Sequence, residues 1–232
     1  FMEQPLTLKA IAHLHNDFPT KFGLPRQSGL VENLPATIVF TPEYRNPHAL
    51  RGLEGFSHIW LIWEFSKARR QGWSPTVRPP RLGGNQRMGV FATRSPFRPN
   101  ALGLSCVKLE KIERHPEMGP VLHVLGADLM DGTPIFDIKP YLPFVDSHPE
   151  ASGGFAQERK DHALEVDCPP ALLARIPASL QEGLLGVLAQ DPRPSYQDDP
   201  ERIYGFFFSD YEIRFTVEGN LLTVREVLAR RG

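Results

Sequence analysis

Prolines and glycines interrupt this chain at short intervals along its whole length. The 232 residues include 23 prolines and 19 glycines, scattered rather than gathered into one tract. Both residue types are concentrated in turns, so the pattern favours a β-rich architecture over a helix bundle. Hydrophobic residues make up 41% of the sequence, which is enough to form a sizeable core and excludes a wholly disordered chain.

Short apolar runs lie between these turns through the first 145 residues. They are rich in β-branched and aromatic residues, beginning with Leu6–Ile11 and ending with Pro134–Lys139. One of them, His58–Trp63, is apolar at consecutive positions, which predicts a central strand. The spacing of the runs suits an antiparallel barrel or sandwich, and we expect this domain to occupy residues 2–145.

The last third of the chain predicts a second, smaller domain. Residues 146–169 are mostly polar, which is typical of a linker. Helical patterns then follow at Ala171–Ile176 and Leu180–Leu188, and a hairpin signal surrounds the turn Glu218–Asn220. We therefore expect a small α+β domain at residues 170–232.

Charge is distributed very unevenly, although the formal net charge is only −1. The 45 residues from Phe65 to Leu109 contain no aspartate or glutamate and carry a local charge of +9. A basic segment in an otherwise acidic chain predicts an anion site, and a polynucleotide is the most common large anion. A solvated basic loop is the alternative.

Several classes of protein are disfavoured by what the sequence lacks. No apolar run approaches the roughly 18–20 residues of a membrane span, and no signal-peptide core opens the chain, so we expect a soluble cytoplasmic protein. Cys106 and Cys168 are too few for a disulfide scaffold or a four-thiolate zinc site. The pair His13 and His15 has no evident third ligand, so no metal site is predicted. Glycine-rich nucleotide loops and hydrolase motifs are absent as well.

Two arginines stand four residues apart across a Ser-Pro turn in the segment Gly89–Ser105. Prolines stiffen this loop, so Arg94 and Arg98 are held with little conformational entropy left to lose. Guanidinium groups bind carboxylates and phosphates through paired hydrogen bonds, which predicts an anion site here. Pairing of both arginines with acidic residues elsewhere in the fold is the alternative.

Two further segments present polar side chains. Asp137 and Lys139 share one face of a predicted strand, and their spacing leaves a salt bridge and a functional site equally open. The turn-rich loop Phe22–Gly29 presents Arg26 and Gln27, and a plain surface loop is its alternative interpretation.

Four motifs occur in order along the chain, and two more follow near its end. They are Phe22–Gln27, Arg51–Trp60, Thr93–Asn100, Asp131–Pro134 with Asp137–Tyr141, Asp191–Pro194 and Arg202–Gly205. These residues resemble the TsaA-like, or TrmO, family, and the resemblance covers most of the chain. Ala101 is a departure, since a second proline is expected there.

The resemblance implies a fold, an activity and partners. The expected fold is mainly β: a TsaA-like β-barrel that binds S-adenosylmethionine, with the small α+β domain after it. The expected reaction is methylation of N6 of threonylcarbamoyl-adenosine, next to the anticodon of tRNA. A homodimer with the cofactor near the subunit interface is implied as well.

The same resemblance implies a set of site residues. The cofactor pocket would contain Pro25, Arg26, Gln27, His58, Ile59, Arg94, Leu104, Asp128, Leu129, Met130 and Asp131. Arg94 or Arg26 would pair with the methionine carboxylate. Leu104 and Ile59 would pack on the adenine, and Asp128 would accept from its amino group or from the ribose hydroxyls. Asp137, Lys139 and Tyr141 are the candidates for positioning or deprotonating N6.

The basic segment is expected to follow the phosphates of the anticodon arm. The arginines assigned to RNA binding are Arg69, Arg70, Arg78, Arg81, Arg87 and Arg98. Trp73 lies in the same segment, where core packing is its favoured role and base stacking the alternative. The C-terminal domain is expected to contact tRNA, so deletion of residues 170–232 should weaken tRNA binding while cofactor binding survives.

A non-catalytic RNA-binding β-barrel is the second hypothesis, because the basic segment fits both functions. Binding of S-adenosylmethionine separates them. Calorimetry should detect the cofactor on a methyltransferase and no binding to a purely RNA-binding barrel.

Overall fold

The structure is a computed structural model that describes residues 6–68, 72–79, 86–159, 163–194 and 199–230. Its regular elements are mainly strands, which confirms the predicted mainly-β fold. The strands are β1 Ala12–His15, β2 Pro35–Phe40, β3 His58–Glu64, β4 Thr76–Val77, β5 Met88–Gly89, β6 Leu102–His115, β7 Gly119–Leu125, β8 Thr133–Pro140, β9 Glu165–Asp167, β10 Tyr204–Phe208, β11 Tyr211–Glu218 and β12 Leu221–Ala229. The helices are α1 Pro143–Asp146, α2 Pro170–Leu173 and α3 Ala178–Ala189. None of the helices described here is long and apolar enough to cross a membrane.

A closed barrel is formed by strands of the first half of the chain, in the order β1-β2-β7-β6-β3-β8. Strand β3 lies between β6 and β8, which confirms the central strand predicted at this position. Burial alternates along it: Ile59, Leu61 and Trp63 are buried inside the barrel, whereas Trp60 and Ile62 lie on the outer face. Strand β3 therefore carries apolar side chains on the outer side of the barrel wall as well as in its core.

Strand β6 is longer than the neighbour that covers it. Its pairing with β7 begins at Lys108, so the first part of β6 has one open edge. The loop before β2 contacts that edge, because the Cys106 N–H donates to Ser28 Oγ (3.1 Å). The next residue of the loop, Gly29, donates its N–H to the Gly126 carbonyl just after β7 (2.9 Å). The open edge thereby brings a loop from the start of the chain against the segment that follows β7.

The C-terminal sheet has the strand order β10-β11-β12-β9. The predicted hairpin around Glu218–Asn220 is confirmed as the β11–β12 pair. Strand β9, however, lies in the segment 146–169 that was expected to be a linker. It pairs in parallel with the start of β12, so the expected linker is wrong for Glu165–Asp167.

The core beneath the C-terminal sheet includes side chains from the start of the chain. Phe18, Val31 and Leu34 are buried in it, and the Phe18 ring meets the Phe208 ring edge-on with centroids 5.4 Å apart. Deletion of residues 170–232 would expose these three apolar side chains to water. The truncation is therefore not a clean test of tRNA binding, and point variants are needed.

Candidate active site

A buried hydrogen-bond chain ends on Asp128 at the open edge of β6. The Trp63 indole N–H donates to Ser105 Oγ (2.9 Å), and the Ser105 hydroxyl donates to Asp128 Oδ1 (2.6 Å). Trp63 and Ser105 are buried, and Asp128 is partly exposed. Position 103 must be glycine, because a Cβ at Gly103 would lie 2.2 Å from the Trp63 ring. The chain of bonds holds one carboxylate in place between the barrel interior and solvent.

The surroundings of Asp128 disfavour its charged form. Burial raises the pKa of Asp128 above its ordinary value, and the hydrogen bond from Ser105 and the charge of Arg94 offset this rise only in part. A carboxylate in this state is stabilised by any further donor or positive group that a ligand brings. The position suits a ligand amino group, hydroxyl or cation.

Arg94 is positioned by a neutral partner. Its Nη1 donates to Gln27 Oε1 at 2.5 Å. Gln27 lies between Pro25, which is buried, and Ser28, which is bonded to β6. An amide oxygen orients the guanidinium without neutralising it, so Arg94 keeps its charge for an anionic ligand near Asp128.

Arg98 braces the loop in which it lies. Its Nη1 donates to the carbonyls of Thr93 (2.9 Å) and Ser95 (3.2 Å). The Thr93 hydroxyl in turn donates to the Val90 carbonyl (2.8 Å). These bonds give Arg98 a structural role in holding Arg94, and its RNA contact stays a prediction.

Consecutive residues Arg26 and Gln27 face different partners. Arg26 lines a cavity of about 210 Å³ between residues 21–26 and residues 190–194. Burial on its own would raise the pKa of Asp191 there, but the ion pair with Arg193 (2.8 Å) and the charge of Arg26 outweigh it and lower that pKa. The fold thus brings Gln27 to Arg94 and places Arg26 beside Asp191.

The four residues of the turn after β7 point in different directions. Asp128 reaches Ser105, whereas Leu129 is buried in the barrel core. Asp131 Oδ1 bonds to His15 Nδ1 (3.1 Å), and the Met130 carbonyl accepts from the Thr133 hydroxyl (2.7 Å). Among these four, Asp128 is the residue that joins the cluster with Arg94.

Two residues expected to pack on one adenine ring lie on opposite faces of the barrel wall. Ile59 is fully buried opposite Val107, whereas Leu104 is 53% exposed on the outer face. The expectation that Leu104 and Ile59 flank the same ring within one chain is therefore wrong, because side chains alternate along paired strands. His58 also lies outward, with its ring 6.1 Å from that of Tyr141.

The three residues expected to act on N6 share the outer face. Asp137 and Lys139 form an ion pair (3.2 Å) with both side chains about half exposed. In register they lie beside Ile62 and Trp60, and the Tyr141 ring packs against the Trp60 ring at 5.8 Å. They point away from the barrel interior, into which Trp63 and Ser105 point.

The remaining arginines of the basic segment divide into two groups. Arg78 and Arg87 are exposed next to the β4–β5 pair, and Arg87 Nη1 donates to Thr76 Oγ1 (3.0 Å). Arg69, Arg70 and Arg81 lie outside the described residues. Within the described ranges, no group of three His, Cys, Asp or Glu side chains has a geometry that could hold a metal ion.

Sequence reasoning missed Ser28, Ser105 and Trp63. Ser105 carried the clearest signal, because it is a polar residue at an inward position of an alternating strand and would need a buried partner. Ser28 and Trp63 gave none, since their partners come from distant parts of the chain.

Comparison with known proteins identifies the family. Residues 13–147 match the tRNA-methyltransferase O N-terminal domain, and residues 162–230 match the TrmO C-terminal domain. A tRNA (adenine(37)-N6)-methyltransferase of Escherichia coli K12 is 42% identical over 215 residues, spanning 89% of this chain and 91% of that protein. A protein of the same name from Eikenella corrodens is 50% identical over 178 residues, spanning 76% and 99%.

A solved structure agrees with these matches across the whole fold. The crystal structure of TrmO from Pseudomonas aeruginosa is similar to this chain with a TM-score of 0.79 and 32% sequence identity, covering 99% of both chains. Barrel and C-terminal sheet are both included in that coverage. The chain belongs to the tRNA-methyltransferase O family.

Proposed function

We propose that this chain transfers a methyl group from S-adenosylmethionine to N6 of adenosine 37 in tRNA, at a nucleotide that already carries threonylcarbamoyl. The observation that carries the proposal is the cluster of Arg94, Gln27 and Asp128. Its guanidinium belongs to the same acid-free segment as the exposed Arg78 and Arg87. A charged cluster beside a basic surface suits a zwitterionic cofactor and a polyanionic substrate. We infer a cytoplasmic location, because tRNA is the proposed substrate.

The chemistry of the cluster fits the cofactor. Arg94 offers a fork of donors for the methionine carboxylate, and Gln27 fixes the direction of that fork. Asp128 offers an acceptor for an amino group or ribose hydroxyl, and its raised pKa means that new donors stabilise it. When bound, S-adenosylmethionine supplies a methyl group already activated by its sulfonium.

The protein's own contribution is mainly alignment. The bonds from Trp63 through Ser105 hold Asp128, and the bonds of Arg98 hold the loop of Arg94, so both groups are oriented before a ligand arrives. Alignment of this kind contributes roughly 7–11 kcal/mol to lowering a barrier.

Removal of the N6 proton is assigned to the ion pair of Asp137 and Lys139 on the outer face of the barrel. N6 is part of a urea-like group with a poor lone pair, so a proton acceptor near it speeds methylation by roughly 10²–10⁴-fold. Asp137 is our proposed acceptor, and the Lys139 ammonium lies 3.2 Å from its carboxylate. Tyr141 is proposed to position the adenine whose N6 is methylated.

We further propose that two copies of the chain complete each site. Asp137 and Lys139 face outward, whereas the bonds that hold Asp128 come from inside the barrel, so a second copy can supply one of the two groups. The same outer face has exposed apolar side chains on β6 and α1, namely Leu102, Leu104, Phe144 and Val145. Exposed apolar groups of this kind mark interaction surfaces.

Mixing two inactive variants tests the shared site. If the site combines Arg94 of one copy with Lys139 of the other, Arg94→Ala and Lys139→Ala chains will restore each other when refolded together. Half of the dimers are then mixed and have one intact site, which gives about one quarter of wild-type activity for a two-fold dimer. Sites within one chain would give no restoration, and light scattering that finds a monomer would contradict the dimer itself.

A contact between the C-terminal domain and tRNA remains part of the proposal. Two exposed arginines support it: Arg202 lies over the Tyr204 ring (5.5 Å), and Arg225 donates to the Thr216 hydroxyl (3.0 Å). Neither contact neutralises the guanidinium, so both are suited to phosphate.

The function itself is tested by methyl transfer. Purified protein, labelled S-adenosylmethionine and tRNA from a strain that lacks this gene should give labelled tRNA with the methyl group on N6 at position 37. Calorimetry should show cofactor binding in the absence of RNA. Binding of tRNA without cofactor binding or transfer would instead support a non-catalytic RNA-binding barrel.

A further inference from the structure

Two aromatic rings of the basic segment lie stacked on the protein surface. The Trp73 and Phe91 ring centroids are 6.0 Å apart with an interplanar angle of 21°. Trp73 is 50% exposed and Phe91 is 72% exposed. The core packing predicted for Trp73 is therefore wrong, because half of its surface faces solvent.

The backbone that carries the two rings is well braced. The Ser74 N–H donates to the Phe97 carbonyl (3.1 Å), and the Val90 N–H donates to the Pro75 carbonyl (3.0 Å). Val90, next to Phe91, is buried. The rings are thus presented by a fixed scaffold, so a ligand that stacks on them pays little ordering entropy.

The surroundings of the rings are positively charged. Val77 pairs with Met88 in the β4–β5 ribbon, and the residues next to this pair, Arg78 and Arg87, are both exposed. Positive charges gathered at one end of a ribbon attract an anion. The segment from Phe65 to Leu109 contains no acidic residue that could neutralise them locally.

We propose that Trp73 and Phe91 form a stacking platform for an unpaired base of the tRNA anticodon loop, with Arg78 and Arg87 on the adjacent phosphates. Single-stranded RNA is recognised by aromatic stacking combined with cationic side chains along the backbone. A second copy of this positively charged surface would be repelled by it, whereas RNA supplies the complementary charge. The inference rests on the proposed function, since the anticodon loop is part of that substrate.

The platform is tested by binding an anticodon stem-loop RNA to the full chain. The double variant with Trp73→Ala and Phe91→Ala should lose about tenfold in affinity, as removal of a stacked base contact does. The slope of log affinity against log salt should stay unchanged, because no phosphate contact is removed. Trp73→Phe keeps a ring and should retain most of the affinity. Leu8→Ala removes another exposed apolar side chain and serves as the matched control.

Abasic substitutions in the RNA locate the stacked base. The affinity of wild-type protein for the RNA should fall about tenfold when one particular loop base is removed. Removal of the same base should cause no further fall in the affinity of the double variant. Stacking of a base should also quench the fluorescence of Trp73 in the wild type. This part of the quenching should be missing from the Trp73→Phe variant, which lacks that fluorophore.

Failure of the platform and failure of the proposed function give different results. Equal RNA affinity of the double variant and the wild type, with methyl transfer intact, would overturn the platform alone. A monomeric double variant with unchanged RNA affinity would assign the rings to a contact between copies and overturn it too. Absence of RNA binding and methyl transfer by wild-type protein would refute the proposed function.

Discussion

Arg94 and Arg87 in the basic segment and Arg214 in the C-terminal sheet are held by different kinds of partner. Arg94 donates to the Gln27 amide, and Arg87 donates to the Thr76 hydroxyl. Arg214 instead bridges the carboxylates of Glu212 (3.1 Å) and Glu226 (3.0 Å). Neutral oxygens fix the direction of a guanidinium and leave its charge available, whereas carboxylates neutralise it.

This difference separates arginines that serve a ligand from arginines that serve the fold. The hydrogen bonds that Arg214 donates to Glu212 and Glu226, together with the charges of the two carboxylates, raise the pKa of Arg214. The number of positive residues in a region therefore does not identify an anion site. Arg214 adds to the formal charge of its region, but it adds little to the electrostatic field outside the protein because two carboxylates neutralise it. The partner atoms decide which arginines can bind carboxylate or phosphate.

Removal of Arg94 should produce the largest effect. Arg94→Ala is expected to weaken S-adenosylmethionine binding by about 10- to 100-fold, because it removes a charge-assisted pair with the methionine carboxylate. Arg94→Lys should recover part of the loss, since it keeps the charge without the fork. Calorimetry measures both, with Arg214→Ala as the control that keeps wild-type affinity. Unchanged affinity of Arg94→Ala would place the cofactor elsewhere.

Removal of Arg87 should produce a smaller effect confined to RNA. Arg87→Ala is expected to weaken binding of the anticodon stem-loop about fivefold and to lower the salt slope by about one, as loss of one phosphate contact does. Titrations at several salt concentrations measure both quantities. Arg214→Ala should leave the slope as it is, and a similar fall in both variants would remove the distinction drawn between the two regions.

The smallest effects concern the way in which the free energy of unfolding depends on pH. Asp128 and Asp191 contribute to this dependence with opposite signs. Burial raises the pKa of Asp128, so the folded state binds its proton more tightly, and this residue makes the protein less stable as pH rises above the unfolded-state pKa. For Asp191, burial is outweighed by Arg193 and Arg26, which lower the pKa. Its contribution is present above the unfolded-state pKa and is lost as pH falls through the folded-state pKa.

Urea unfolding of two amide variants between pH 3 and pH 7 checks these signs. Asp128→Asn should match or exceed wild-type stability at neutral pH, whereas Asp191→Asn should be less stable there and less sensitive to acid. The reverse order at neutral pH would contradict the charge environments described for both carboxylates.

Part of the candidate site could be foreseen because its signal is local. The acid-free segment and the proline-rich loop of Arg94 are visible in the sequence. Gln27, Arg94 and Asp128 were named together through the family resemblance, and the fold brings them into one cluster. Ser28 and Trp63 could not be named, because their roles depend on partners far away in the chain.

The amino-acid sequence alone determined the β-rich fold class, the position of β3 and of the β11–β12 hairpin, and the location of the basic segment, because turn residues, alternation and charge runs act over a few neighbours. The strand expected at Leu6–Ile11 is wrong, because β1 begins only at Ala12. Tertiary structure decided which side chains meet. The register between β3 and β6 set Ile59 and Leu104 on opposite faces, and packing brought Phe18 into the C-terminal core. Those outcomes depend on contacts between distant segments, and no local pattern encodes the register or the burial that produces them.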